Sequence, residues 1–269
     1  MRIVFLTVIC LVSLYITGCG GAEQIRAPEM TSALMGTTSV TVFWRTELDI
    51  ENHADFQGYN VYVSTDSSEL LVDDGEELNK YNASVINDTM FEIRNLGTQS
   101  LYYIQVRTLN TDDKVGSYNT AVPFVTGSPR PEFTVVLRRE INDPGTDDSC
   151  AVRFRDALVM PDSAMADSGA DMWVDGTTSR FISPRNHPEF GVQGRTSYFT
   201  NLGQLGLDDV TEITSDPSEE AVDFSIGDLI IARTQDSNYV KIHIETSDGT
   251  YVTITYAYQD VPDFPKLTP

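Results

Sequence analysis

After Pro28 the chain runs in short stretches in which apolar and polar residues alternate, each closed by turn-forming residues such as glycine, proline or asparagine. Ser39–Arg45 alternates with period two, and Gly58–Ser64 repeats the pattern. Thr89–Arg94, Tyr102–Leu109 and Tyr118–Val125 follow. A strand sends successive side chains to opposite faces, so alternation drives every second residue into a core and leaves the others in water. Five or more such runs in about 100 residues, with turns between them, predict an antiparallel sandwich.

Gly127–Pro131 breaks the pattern, because two prolines and a glycine resist both helix and ladder pairing. Beyond it, Asp228–Thr234, Tyr239–Glu245 and Tyr251–Tyr258 read as strands, and Asp248-Gly249 is a hairpin signal between the last two. Alternation puts Val240, Ile242 and Ile244 on one face, to pack with Val252, Ile254, Tyr256 and Tyr258. It leaves His243 on the opposite face, between Lys241 and Glu245, as a solvated strand residue. Phe133–Leu137, Ala151–Phe154 and Asp171–Gly176 read as further strands or strand ends. After the N-terminal segment no amphipathic stretch of helical length appears. The expected organisation is all-β: a sandwich over residues 26–127, a linker at 128–132, a β-rich domain at 133–262 and a tail at 263–269.

The N-terminal segment is different in kind. Arg2 leads into an apolar run from Ile3 to Ile16, shorter than the roughly 20 residues that a helix needs to cross a bilayer. A basic start, a short apolar middle and a small-residue exit describe an export signal over residues 1–18. Ile16-Thr17-Gly18-Cys19 resembles the bacterial lipobox, in which the cysteine is lipidated and becomes the first residue after cleavage. That resemblance implies a lipid on Cys19, a polar tether over 19–25, and a place in the cell envelope, held to the membrane by more than one acyl chain. Gly20 after the cysteine resembles sorting to the outer membrane in Gram-negative cells. Cys10 leaves with the signal, and Cys150 then has no disulfide partner, which predicts a small buried core residue.

Within residues 26–127 the spaced positions resemble the fibronectin type III family: Trp44 in the second strand, Gly58–Tyr62 in the third, Leu96 followed by Tyr102, and a closing Thr126. Gly97-Thr98 departs from the proline and glycine usual there. The resemblance implies that the Tyr102 hydroxyl bonds back to the backbone at the crossover between sheets. It also implies a spacer or adhesive module without catalytic residues. Further on, the stretches 170–176, 227–245 and 252–259 resemble the C-terminal β-rich module of uncharacterised bacterial surface lipoproteins and, more weakly, haem-capturing lipoproteins.

Charge narrows the partners. With 40 acidic against 18 basic residues the net charge is −22, and such a surface repels phosphate backbones, so nucleic acid is excluded. The acidic loops Asp73–Glu77 and Asn110–Asp113 lack the spacing that arranges oxygens around calcium, so no metal and no cofactor are expected. Three histidines, His53, His187 and His243, fall in no catalytic motif. The function expected is non-catalytic binding or scaffolding, with an envelope protein or polysaccharide as partner beside the membrane itself. Trp173, Phe181 and Tyr198, with Phe190 and Phe199, are the candidate binding rings, since aromatic faces stack on sugars or fill peptide pockets. The alternatives are capture of carbohydrate or haem, or a hydrolase built on Cys150 and His187.

Overall fold

The structure, a computed structural model, describes residues 25–72, 79–139, 149–176, 178–189 and 193–267. Residues 1–18, Cys19, the loop Asp73–Glu77 and Phe190 lie outside the described residues. The fold is all-β, and among the described residues the α-helices are single turns at Leu48–Glu51 and Met165–Ser168.

The first sandwich contains β1 (Glu29–Met35), β2 (Val40–Arg45), β3 (Phe56–Ser64), β4 (Met90–Ile93), β5 (Tyr102–Asn110) and β6 (Val125–Gly127). All pairs are antiparallel, in a β1-β2-β4 sheet and a β3-β5-β6 sheet. In β2 the alternation is realised residue by residue: Val40, Val42 and Trp44 are buried against Tyr59, Val61, Ile104 and Val106 of the facing sheet. The Trp44 ring meets Tyr59 edge to face at 5.4 Å. At the crossover into β5 the Tyr102 hydroxyl accepts the Gly97 N–H at 2.9 Å. The strand expected over Tyr118–Val125 is corrected to Val125–Gly127. Asn119 folds the preceding residues into a turn by accepting the Ala121 and Val122 N–H groups, and Pro123 has no N–H to donate.

The second sandwich contains β7 (Glu132–Arg138), β8 (Ala151–Arg153), β9 (Leu158–Met160), β10 (Met172–Val174), β11 (Arg180–Ile182), β12 (Tyr198–Gln204), β13 (Ala221–Asp223), β14 (Asp228–Arg233), β15 (Tyr239–Ser247) and β16 (Tyr251–Tyr258). They form two five-stranded antiparallel sheets, β12-β14-β15-β16-β7 and β13-β11-β10-β8-β9. Val135, Ile242, Ile254 and Tyr256 from the first sheet enclose, with Val152, Met172, Val174 and Phe181 from the second, one continuous core. The hairpin at Asp248 forms, with the Asp248 side chain accepting the Thr250 and Tyr251 N–H groups.

Two segments differ from the expected linker and tail. Ser128 and Arg130 are buried, and β7 already begins at Glu132. Arg130 ion-pairs with Glu132 at 2.8 Å and with Asp208 at 3.1 Å, while its N–H donates to the Gly36 carbonyl. The last described residues are also packed. Val261 and Phe264 join the core of the first sandwich, and Leu267 lies with Ile213, Ile231 and Tyr239 on the outer face of the β12-β14-β15-β16-β7 sheet. That cover explains a second difference. Lys241, on the face where His243 reads as solvated, is fully buried, and its ammonium donates to the Val210 carbonyl at 2.8 Å.

Candidate functional site

Hydrophobic packing fixes the tip of the β8–β9 hairpin and leaves its charges outside. Phe154 is fully buried, its N–H donates to Asp171 at 3.0 Å, and its carbonyl accepts the Tyr256 hydroxyl at 2.9 Å. With both backbone groups of Phe154 held, the flanking Arg153 and Arg155 project from the sandwich end. Ala157 closes the turn in the left-handed region, at φ 55°, a conformation that costs an alanine energy and persists only where the surroundings enforce it.

Around this tip lies a cleft of about 60 Å³ lined by Arg153, Arg155, Asp171, Arg195, Asp236 and Tyr258, together with Gly169 and Thr234. Asp171, just before β10, is buried at 3% exposure and receives the Arg195 Nε at 3.0 Å. Burial pushes its carboxyl above the usual range, against the pull of the Arg195 guanidinium. Arg195 also bonds Asp236 on the β14–β15 turn. Arg153 grips Asp156 through two nitrogens, at 2.9 and 2.6 Å, and the Ser168 carbonyl at 2.7 Å. That grip holds the Asp156 carboxyl below its ordinary range. Arg155 is exposed and makes no salt bridge among the described residues. Its charge reaches the buried Tyr258 phenol, where it partly opposes the upward push of burial. Among the described residues, the other charged groups of the cleft are thus paired with one another, and Arg155 lines it without a salt bridge.

The aromatic candidates do not converge here. Trp173 and Phe181 are corrected from a binding surface to core: Trp173 is buried beside Cys150, Met160 and Met165, and its indole N–H donates to the Ser183 carbonyl. Phe181 is fully enclosed and packs on Phe224 at 4.3 Å. Tyr198 is exposed at the start of β12, and Phe199 is buried in the same core as Phe181. Short strands hid this arrangement, because three residues of β10 or β11 show no alternation from which to tell the wet face from the dry one. The missed residues carried one signal, an Arg-x-Arg pair around a large apolar residue in a chain with more than two acids per base.

The histidines lie apart. His187 is buried against Trp173 at 4.7 Å, with its Nε2 3.8 Å from Asp162, and burial lowers its pKa. His243 is half-buried and bonds Glu245 at 3.0 Å. His53 accepts the Asp55 N–H. Cys150 is fully buried. Among the described residues no group of three His, Cys, Asp or Glu side chains is placed to hold a metal. In the Asn110–Asp113 loop, Asn110 spends its side-chain oxygen on the Asp112 and Lys114 N–H groups. A second crevice, of about 190 Å³, runs between Thr31–Ala33 and Thr126 of the first sandwich and Thr211, Glu212 and Lys266 of the second.

No family model and no curated protein matches this sequence. Among solved structures the chain is similar to a DUF4466 family protein from Parabacteroides merdae, at 9% identity and a TM-score of 0.35, over 86% of this chain and 94% of that one. It is also similar to the central fibronectin-III array of RIM-binding protein, at 12% identity and a TM-score of 0.26, over 90% of this chain and 70% of that one.

Proposed function

We propose that this chain is a lipid-anchored protein of the cell envelope, carried outside the cytoplasm and held to the membrane through Cys19, that acts by binding rather than by turnover. The first sandwich serves as a fibronectin type III spacer. Its β1-β2-β4 and β3-β5-β6 sheets and the Tyr102 to Gly97 hydrogen bond suit that reading. The second sandwich carries the binding surface. The observation that carries the proposal is the arginine-lined cleft, whose walls are fixed by buried hydrogen bonds while one cation stays open to solvent. Full enclosure of Cys150 also favours binding, since a nucleophilic thiol must reach its substrate. The partner is an envelope protein or a surface polysaccharide.

Capture of envelope proteins and surface polysaccharides on the immobilised full chain tests this reading. Specific capture that weakens in Arg155→Gln supports it, and capture of neither class sinks it. Labelling with a palmitate analogue tests the anchor separately. The wild type should be marked and Cys19→Ser should not, while equal labelling of both would remove the lipid from the proposal.

A further inference from the structure

The cleft says more about its ligand than that one exists, provided that the binding reading holds. Its size comes first. A single water needs roughly 10–15 Å³ on the same measure, so about 60 Å³ admits a head group of a few heavy atoms, not a haem or a whole oligosaccharide. Its chemistry comes second. Arg153 is engaged by Asp156, and Arg195 by Asp171 and Asp236, so neither offers an uncommitted charge. Arg155 makes no salt bridge among the described residues, in a protein with more than two acids per base. One guanidinium facing a cleft can take one carboxylate through two parallel N–H donors, and the strongly acidic chain around it disfavours the more highly charged phosphate.

The remaining walls call for hydroxyls. Asp236 sits 58% exposed with an oxygen fixed by Arg195, so it can accept from a ligand but not donate. Five of the eight lining residues are charged and Tyr258 supplies the one ring, a lining that suits a polar ligand better than an aliphatic peptide side chain. Alternating donors and acceptors around a small space match a group that both donates and accepts, which a sugar hydroxyl does and a hydrocarbon does not.

We propose that the Arg155 cleft binds the carboxylate end of a hydroxylated acid, of the uronic acid class, with Arg155 holding the carboxylate and Asp236 accepting from a neighbouring hydroxyl. The probe is glucuronate, titrated into the full chain by calorimetry beside glucose, acetate and a tripeptide with a free C-terminal carboxylate. Glucuronate should bind in the millimolar range and weaken at high salt. Glucose and acetate should each bind at least tenfold more weakly, because each supplies half of the pattern. Arg155→Gln should lower glucuronate affinity at least tenfold, whereas Arg185→Gln, which removes an exposed charge outside the cleft, should leave it within twofold. Thermal melting of both variants at the wild-type temperature separates loss of the site from loss of the fold.

Equal binding of acetate and glucuronate, preference for the tripeptide, or an unaltered Arg155→Gln would each overturn the inference. Absence of glucuronate binding alongside retained capture of an envelope partner overturns it and leaves the binding reading standing. Absence of both removes both.

Discussion

The first sandwich completes its core with Val261 and Phe264 from the far end of the chain, whereas the second fills the space between its five-stranded sheets with residues of its own. Two three-stranded sheets cover less apolar surface than two five-stranded ones, and a small core has fewer contacts to offset chain entropy. The smaller unit thus gains most from an added aromatic. The two also differ in how they bury a cation. In the first, Arg107 is enclosed by the Gln105 side chain, the Leu70 and Val72 carbonyls and the rings of Tyr62 and Tyr118. A guanidinium spreads its charge over a planar fork and keeps its proton in such a place. In the second, Lys241 meets the Val210 carbonyl as a compact ammonium, and burial lowers its pKa to about 8.

The comparison can be broken in four places. Trp44→Ala should cost the first sandwich about 3–5 kcal/mol by emptying a large core site. Circular dichroism in urea would measure it, while Trp173, the other of the two tryptophans, reports whether the second sandwich unfolds with it. A loss below about 0.5 kcal/mol would contradict the packing of Trp44. Phe264→Ala should cost about 2–4 kcal/mol, and the damage should appear in the first sandwich although the residue follows the last strand of the second. Followed by Trp44 emission in a Trp173→Phe background, an unchanged transition would erase the asymmetry between the two cores.

Lys241 supplies the third test. Its ordinary pKa is 10.5 and its native one about 8, so between those values the unfolded chain binds the extra proton and stability rises with pH. Urea titrations from about pH 8 to about pH 9.5 should show a gain on the order of 2 kcal/mol, and Lys241→Met should flatten it. Above about pH 10 the trend should reverse, because burial raises the pKa values of Tyr239, Tyr256 and Tyr258, so the native state keeps protons that the unfolded chain releases. The smallest effect belongs to Tyr102→Phe. Its hydrogen bond to Gly97 is exposed, so a loss of about 0.5–1 kcal/mol by the same titration is expected, and a loss above about 2 would place that bond in a drier setting.

Long strands with one wet face were legible in the chain. Val40–Arg45 and Tyr251–Tyr258 repeat the period of two over enough residues to mark both the strand and its buried side, whereas Phe56–Ser64 and Tyr239–Ser247 mark the strand but are buried on both faces over Gly58–Tyr62 and Tyr239–Ile242. Strands of three residues, β8 to β11 and β13, carry too few positions for a period, so the faces of Trp173 and Phe181 could not be told apart. The burial of Lys241 was hidden for another reason. Its alternation is correct, but the face it points to is roofed by the Val210 loop and by Leu267, contacts between remote segments that no local pattern encodes. The cleft was illegible for the same cause, since Arg155, Asp171, Arg195 and Asp236 come from separate loops and each alone is an ordinary charged residue.

Phe264 seated among residues of the first strands has a consequence for how the protein is made. Synthesis proceeds from the N-terminus, and a domain ordinarily folds as it emerges. Here the core of the first sandwich stays incomplete until Phe264, which follows the last strand of the second, has been delivered, so contacts between remote segments are needed to finish it and slow its maturation. A product cut short just before Val261 would keep every strand yet leave an apolar seam open, and that seam is the mark by which proteases and holding chaperones would tell an unfinished copy from a finished one.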